Sequence, residues 1–391
     1  MSKLREAVIV SAVRTPIGKY GGVLAGLDGY ELGGLVVKEA VKRAGINPED
    51  IEEVYMGNAE GAPGNIGRVI ALEAELPVTV PGIQFDRQCA SGLETICMAA
   101  AMIESGHGDI YVAGGAESMT NNPYFMTKTK RPYSYSYPSF NYVMMSPPKA
   151  GNPSMGETAE NVLKVHPVSR EKMDEFAYQS HQRALKAIEK GAFKEQILPI
   201  TTKVKRKEVV IDTDEGPRAE TNMEQLSKLK PVFQKDGLVT AGNSCPMNDG
   251  AAAVVIMSRE KADELGLKPL LKVKGFASVG LDPYTMGFGP IGAVRKVLEK
   301  TGVTLDEVEL IELNEAFASQ AIGCIEELGL DMERVNPNGG AIALGHALGA
   351  TGAVLTTKAA YAMKNAERKY AIVTMCVGGG EGSAAVFEKI D

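Results

Sequence analysis

The chain has 391 residues, 44% hydrophobic and 23% charged, with 42 basic against 49 acidic side chains and a net charge of −7. That length exceeds one typical domain core, so two or three units are expected. Nothing in the charge balance resembles a nucleic-acid-binding protein, and the basic run KVKRKE at 203–208 alternates with valine as a solvated strand edge does.

In chain order, EAVIVSAV (6–13) reads as a buried strand and ELGGLVVKEAVKRAG (31–45) as a helix with a glycine stop. EEVYMGNA (52–59) is a strand, GIQF before Cys89 a short strand, SGLETICMAAAMIESG (91–106) a helix and DIYVAGGAES (109–118) a strand. This βαβα order predicts helices layered on a mostly parallel sheet. The order recurs: strand 270–280, helix 292–302, strand 308–317, helix 346–363, then strand and turn 370–382. AGINPEDIEEVYMGNA (44–59) aligns with TGVTLDEVELIELNEA (301–316) at a constant offset of 257, which carried forward places Cys89 on His346 and Gly92 on Gly349. VAGG (112–115) then matches CVGG (376–379), and 249–258 matches 381–390. The halves therefore read as copies, each with a reactive side chain at a strand-to-helix junction. The first carries an extra segment, 119–248, rich in Pro, Ser, Tyr and Met at its start and helical at 169–191. Long insertions of this kind commonly form substrate sites.

The five cysteines are odd in number, widely spaced and without CxxC, which favours neither a disulfide framework nor a zinc site. The first residues hold too short an apolar run for a signal peptide, no stretch reaches the roughly 18 apolar residues of a membrane span, and FEKID is no peroxisomal address. A reduced, cytoplasmic compartment is the expectation.

Cys89 opens a helix, where free N–H groups and the helix dipole favour a thiolate; the alternative is a packed cysteine. His346, in the turn NGGAIALGH, is one of four histidines, and placed opposite a cysteine it can take the thiol proton and form an ion pair. Cys376 precedes a glycine run whose N–H groups could nest an oxyanion, or it is a buried structural thiol. Asn314 faces the same crevice or caps the following helix. Cys97 and Cys324 fall in apolar helical runs and read as core.

CASGLETI, GGAESM, MGETAEN, TAGN…NDGAAA, NEAFA, GGAIALGHALGATG and CVGGGEG, in this order, resemble the signatures of the thiolases over essentially the whole chain. Related condensing synthases share the duplicated fold but lack the second cysteine. The resemblance implies a duplicated five-layered α-β-α-β-α fold, two similar mixed-sheet halves with a loop subdomain inserted in the first. The implied domains are 1–118 plus 249–268, the insertion 119–248 for coenzyme A and substrate, and 269–391.

It further implies Cys89 as the acylated nucleophile, His346 as its base, Cys376 as the acid/base for the α-proton, and Asn314 as holder of an oxyanion-hole water. The N–H groups of Cys89 and Gly378 would form a second oxyanion hole. Met155, Arg218, Phe233, Ala241 and Phe317 match residues along coenzyme A, Arg218 being otherwise an exposed loop arginine. The implied activity is reversible condensation of two acetyl-CoA to acetoacetyl-CoA and CoA. The alternatives are a longer-chain 3-ketoacyl-CoA thiolase and a non-catalytic lipid carrier or scaffold. Coenzyme A thioesters are substrates and partners; no metal, redox cofactor, nucleic acid or membrane is implied, and a homodimer or homotetramer is. Three stretches depart from the family pattern: Cys245-Pro246 in GNSCP, Ser154 before MG, and Ala347 for the usual proline. Cys245 stands where a serine usually meets the pantetheine arm, and chain-length choice is expected near Met286 and Phe288.

Overall fold

A computed structural model describes residues 5–61, 64–128, 133, 139–141 and 143–390; most of the tyrosine- and serine-rich stretch at 129–138 lies outside them. Its main sheet has ten strands: β1 Ala7–Arg14, β2 Gly18–Lys19, β3 Glu53–Gly57, β4 Gly82–Phe85, β5 Ile110–Ser118, β6 Asn248–Ser258, β7 Leu271–Gly280, β8 Val308–Leu313, β9 Tyr370–Val377 and β10 Glu381–Lys389. The order is β8-β9-β10-β7-β1-β6-β5-β3-β4, with β2 on β6. A two-residue ladder, Val8 with Lys272 and Ile9 with Leu271, joins the halves.

The sheet is mixed rather than mostly parallel. Among the described residues, the parallel strand pairs are β3–β4, β3–β5 and β8–β9. The last two strands of the second half form an antiparallel hairpin across the turn after Val377. The same antiparallel pair exists in the first half, but the insertion separates its strands, so the alternation of elements could not reveal it.

The helices of eight or more residues are α1 Gly29–Ala44, α2 Ile66–Glu73, α3 Ser91–Glu104, α4 Met155–Val165, α5 Arg170–Glu189, α6 Gly289–Thr301, α7 Ala318–Leu328 and α8 Leu348–Ala362. Helix α1 shows why such segments form where they do: Asp28 and Glu31 make a capping box, and Gly45 ends the helix in the left-handed region at φ 65°. Helices α1 and α2 cover one outer face and α6 and α7 the other, while α3 and α8 lie between the halves. Three apolar cores fill the spaces between these five layers. Small residues let α3 and α8 approach closely: a Cβ on Gly92 would sit 2.7 Å from the Gly349 carbonyl oxygen, and one on Gly352 2.2 Å from the Leu93 nitrogen.

The ladders also test the internal alignment. Each half has a bulge in its first strand, between Ile9 and Ser11 in β1 and between Val273 and Gly275 in β7. Matching the bulges puts Gly250 on Glu381, and their partners then put Glu117 on Val377 and Ala116 on Cys376. Matching VAGG to CVGG is therefore wrong by four residues, and matching 249–258 to 381–390 by one. The helices keep the offset of 257: α3 and α8 both start two residues after Cys89 and His346.

The insertion is anchored to the first strand. The Arg14 guanidinium makes a two-pronged, fully buried pair with Asp214, at 2.7 and 2.9 Å, and Asp214 also accepts from the Ile17 N–H. Removing one partner of such a pair typically costs about 3–5 kcal/mol, because the other charge is left buried alone.

Candidate active site

Cys89 sits in the turn between β4 and α3. Asp86 accepts from the Gln88 N–H at 2.8 Å, and Ser91 accepts from the Arg87 N–H at 2.9 Å while donating to the Gln88 carbonyl at 2.6 Å. These bonds hold Gln88, a non-glycine residue, at φ 46°, which is locally strained and aims the next residue inward. The Cys89 sulfur receives the backbone N–H of Gly378 from the other half. Burial nevertheless pushes the thiol up to about 12. The thiolate expected at a helix start is thus not the resting state: desolvation outweighs the helix end and the hydrogen bonds.

His346 is held from three sides. Its backbone N–H donates to Asn248 Oδ1 at 2.9 Å, its ring Nδ1 lies 2.7 Å from Thr351 Oγ1, and its ring Nε2 lies 3.4 Å from Asn314 Nδ2. Thr351 already donates its hydroxyl proton to the Ala347 carbonyl at 2.9 Å. The hydrogen-bond network therefore assigns the ring proton to Nδ1 and makes Nε2 an acceptor that faces the Asn314 amide NH2. Burial pushes His346 down to about 4, so the imidazole is neutral. A neutral thiol facing a neutral imidazole replaces the expected ion pair.

Cys376 is fully buried at the end of β9, and burial, followed by the nearby Cys89, Cys324 and Cys245 sulfurs, holds it well above its ordinary value. The glycines after it are required by the backbone. Gly379 and Gly380 both lie at φ +91°, and a Cβ there would come within 2.6 Å of the Met145 oxygen or 2.4 Å of the Leu281 oxygen.

Cys89, His346 and Cys376 line one cavity of about 180 Å³, with Gly378, Phe317 and Cys245. The rest of its wall is rich in methionine: Met119, Met145, Met155, Met247 and Met286. Asn314 lies behind His346 rather than on the wall, and its buried Oδ1 has no partner among the described residues. It does not cap the next helix; Phe317 occupies that position.

Of the expected coenzyme A contacts, Met155, Cys245, Met286 and Phe317 line this cavity. Arg218 and Ala241 line a second one, about 230 Å³, with Lys19. Pro246 is on both walls, so the two adjoin. The chain around Pro246 is stitched in place by the Cys245 N–H donating to the Ala316 carbonyl at 3.0 Å and by a bridge from Met247 to His346. Phe233 packs edge-on against Phe317, centroids 6.0 Å apart. Phe288, near which chain-length choice is expected, packs against His166 and under Gly323, in the core away from the cavity. Ser154, a departure from the pattern, starts α4 with a capping box to Glu157.

Sequence reasoning missed Lys19, Thr351 and Glu117. Glu117 accepts the N–H groups of Ala59 and Gly349, at 2.8 and 2.9 Å, and the Asn58 side chain at 2.8 Å. It ties β3, β5 and the start of α8 together, and burial raises its carboxyl to about 7. Among the described residues, no group of three or more His, Cys, Asp or Glu is placed to hold a metal, and no helix is long and apolar enough to cross a membrane.

The family model for the thiolase N-terminal domain matches residues 7–260, and that for the thiolase C-terminal domain matches 267–389. The chain belongs to the thiolase family. This thiolase is 43% identical to an acetyl-CoA acetyltransferase of Syntrophomonas wolfei, over 99% of this chain and 100% of the relative. It is 47% identical to a 3-ketoacyl-CoA thiolase of Bacillus subtilis, over 98% and 100%. The crystal structure of a Bacillus anthracis acetyl-CoA acetyltransferase superposes with a TM-score of 0.95 at 43% identity, covering 100% of both chains. The chain is accordingly an acyltransferase of thiolase type with the family's α/β fold, and its substrates are acyl-CoA thioesters.

Proposed function

We propose that this thiolase transfers an acetyl group through Cys89, condensing two acetyl-CoA to acetoacetyl-CoA and CoA and running the reverse thiolysis. The observation that carries this reading is the convergence of Cys89, His346 and Cys376 on one cavity. Ionising a thiol held near 12 unaided at pH 7 would cost about 7 kcal/mol. The proton therefore leaves as the sulfur attacks, passing to the unprotonated Nε2 of His346.

In the first half-reaction Cys89 attacks the thioester, His346 takes its proton, and Cys376 protonates the departing CoA sulfur. The Cys376 thiolate so formed takes the α-proton of a second acetyl-CoA. The resulting carbanion attacks the acetyl carbon on Cys89, and the freed Cys89 sulfur recovers its proton from His346. Every proton is returned. The two oxyanions fall to a water held by Asn314 with His346, and to the N–H groups of Cys89 and Gly378. The unpartnered Asn314 oxygen supports the first assignment and the Gly378 N–H on the Cys89 sulfur supports the second. Losing one such donor typically costs about 3 kcal/mol of barrier.

Coenzyme A follows the adjoining cavities, with its pantetheine arm past Pro246 and its phosphates toward Lys19 and Arg218. The insertion 119–248 serves as the coenzyme A and substrate subdomain between the N-terminal half (1–118 with 249–268) and the C-terminal half (269–391). The enzyme works in the cytoplasm as a homodimer or homotetramer. A second reading, a longer-chain 3-ketoacyl-CoA thiolase, is favoured by an open groove beside the catalytic cavity. The test is thiolysis of acetoacetyl-CoA by CoA, with mass analysis of Cys89 after incubation with acetyl-CoA. Turnover and an acetyl adduct on Cys89 are expected. Neither appearing would leave a non-catalytic carrier or scaffold.

A further inference from the structure

We infer that Glu315, the residue after Asn314, is a positioning residue for the reaction. Its buried carboxylate fixes Asn314 and His346 relative to each other, and so shapes the oxyanion site proposed for that pair. The inference rests on the thiolase reading above and adds a residue to its machinery.

Glu315 is 2% exposed and takes no part in the wall around Cys89. It is therefore set back from the reacting atoms, and it acts through three other segments of the chain. The first contains Asn336, a non-glycine residue held at φ 45° in the left-handed region. The Asn336 side chain grips the residue before Asn314 twice, accepting the Leu313 N–H at 3.0 Å and donating to the Leu313 carbonyl at 2.8 Å. Those two bonds fix which end of the amide is NH2, and that NH2 also donates to Glu315 Oε1 at 2.8 Å. One amide thus holds both chain neighbours of Asn314. The Asn314 backbone N–H in turn donates to the Thr374 carbonyl at 3.0 Å, on the strand that carries Cys376.

The other carboxylate oxygen reaches the loop that leads to His346. Glu315 Oε2 accepts the Ile342 N–H at 3.2 Å and the Ser180 hydroxyl at 2.6 Å, and Ser180 accepts the Gly340 N–H at 3.2 Å. The fit leaves no room for a side chain: a Cβ on Gly340 would sit 2.1 Å from Glu315 Cδ. Lys358, from α8, pins the same loop by donating to the Gly339 carbonyl at 2.8 Å. Ser180 lies on α5, so the carboxylate ties the insertion to this pair of catalytic segments as well. A buried carboxylate with donors on both oxygens is stiff, because each bond given up leaves buried charge short of a partner. Misplacing a catalytic group by about 1 Å can cost about 10²-fold in rate, so a residue away from the substrate can still set kcat.

The test is thiolysis of acetoacetyl-CoA by the intact enzyme carrying Glu315→Gln, Asn314→Gly or both. Glutamine keeps the shape but not the acceptors. Whichever way its amide turns, its NH2 faces a donor, Asn336 on one side or Ile342 on the other. In Glu315→Gln, kcat is expected to fall about 30-fold with KM within about twofold, since the lost geometry serves the oxyanion and not ground-state binding. The double variant is expected within about threefold of Asn314→Gly alone, because the clamp then has no amide left to place. Losses that multiply, to about 3,000-fold, overturn the inference. So does a Glu315→Gln enzyme that keeps kcat within about twofold, or one whose KM rises as much as its kcat falls. Ser180→Ala removes a single donor and carries the test if Glu315→Gln does not fold. A kcat about fivefold lower, again not multiplying with Asn314→Gly, supports the inference, and an unchanged kcat overturns it. A wild-type enzyme that turns over no acetoacetyl-CoA strikes the thiolase reading instead.

Discussion

The two halves share strand order, ladder directions and the bulge in their first strand, yet they carry different chemistry at matching places. At the helix starts the first copy has Cys89 and the second His346. At the ends of β3 and β8, the ladder pairings match Gly57 to Asn314; one strand over, Ala116 matches Cys376 and Glu117 matches Val377. The second copy thus supplies the imidazole, the amide and the second thiol, while the first supplies the thiol that attacks and a carboxylate that fastens the second copy's helix through the Gly349 N–H. Duplication provided two equal positions around one crevice, and side-chain divergence made the crevice asymmetric. An asymmetric site is what a reaction needs when one acyl group is held as an electrophile and the other becomes a carbanion.

Giving the second copy the residues of the first tests this division of labour. The largest effect is expected from Cys376→Ala, which installs the counterpart residue: thiolysis of acetoacetyl-CoA falls about 10³-fold, read as kcat, because no group remains to move the α-proton. A loss under tenfold would remove Cys376 from the proton path. Asn314→Gly, again the counterpart residue, lowers kcat about 10²-fold with little change in KM, since the lost contact serves the developing oxyanion. An equal rise in KM would instead make Asn314 a ground-state binding residue. Smallest in its effect on chemistry is Gly92→Ala, where the copies touch. The added Cβ meets the Gly349 oxygen at 2.7 Å, and destabilisation of about 1–3 kcal/mol is expected in urea unfolding. Unchanged stability would show that α3 and α8 can part without cost.

Much of this was legible in the sequence because a duplication leaves a constant offset. Residues 44–59 and 301–316 align without a gap, and the same offset of 257 carried Cys89 onto His346, as the two helix starts bear out. It failed where the copies differ by bulges and turns. One bulge in β1 and one in β7 set the register of β6 and β10, and a bulge has no marker in the residues themselves. A one-residue slip there reverses which side chains face the cavity. The charge states were also hidden: the helix end next to Cys89 can be read locally, but the burial that overrides it is a sum over elements far apart in sequence. Lys19 and Arg218 illustrate the same limit. They share one pocket wall although 199 positions separate them, and nothing local marks Lys19 as a partner of the insertion. Phe288 went the other way, an aromatic near Met286 whose ring turns into the outer core instead of the pocket.

The acyl relay between copies is tested most directly by the mass of the peptide containing Cys89 after acetyl-CoA is added to wild type, Cys376→Ala and His346→Ala. One acetyl group on Cys89 in the first two, and little or none in the third, is the result expected if a thiol from one copy is activated by an imidazole from the other. Full acetylation of Cys89 in His346→Ala, or an acetyl group found on Cys376 in place of Cys89, would contradict it.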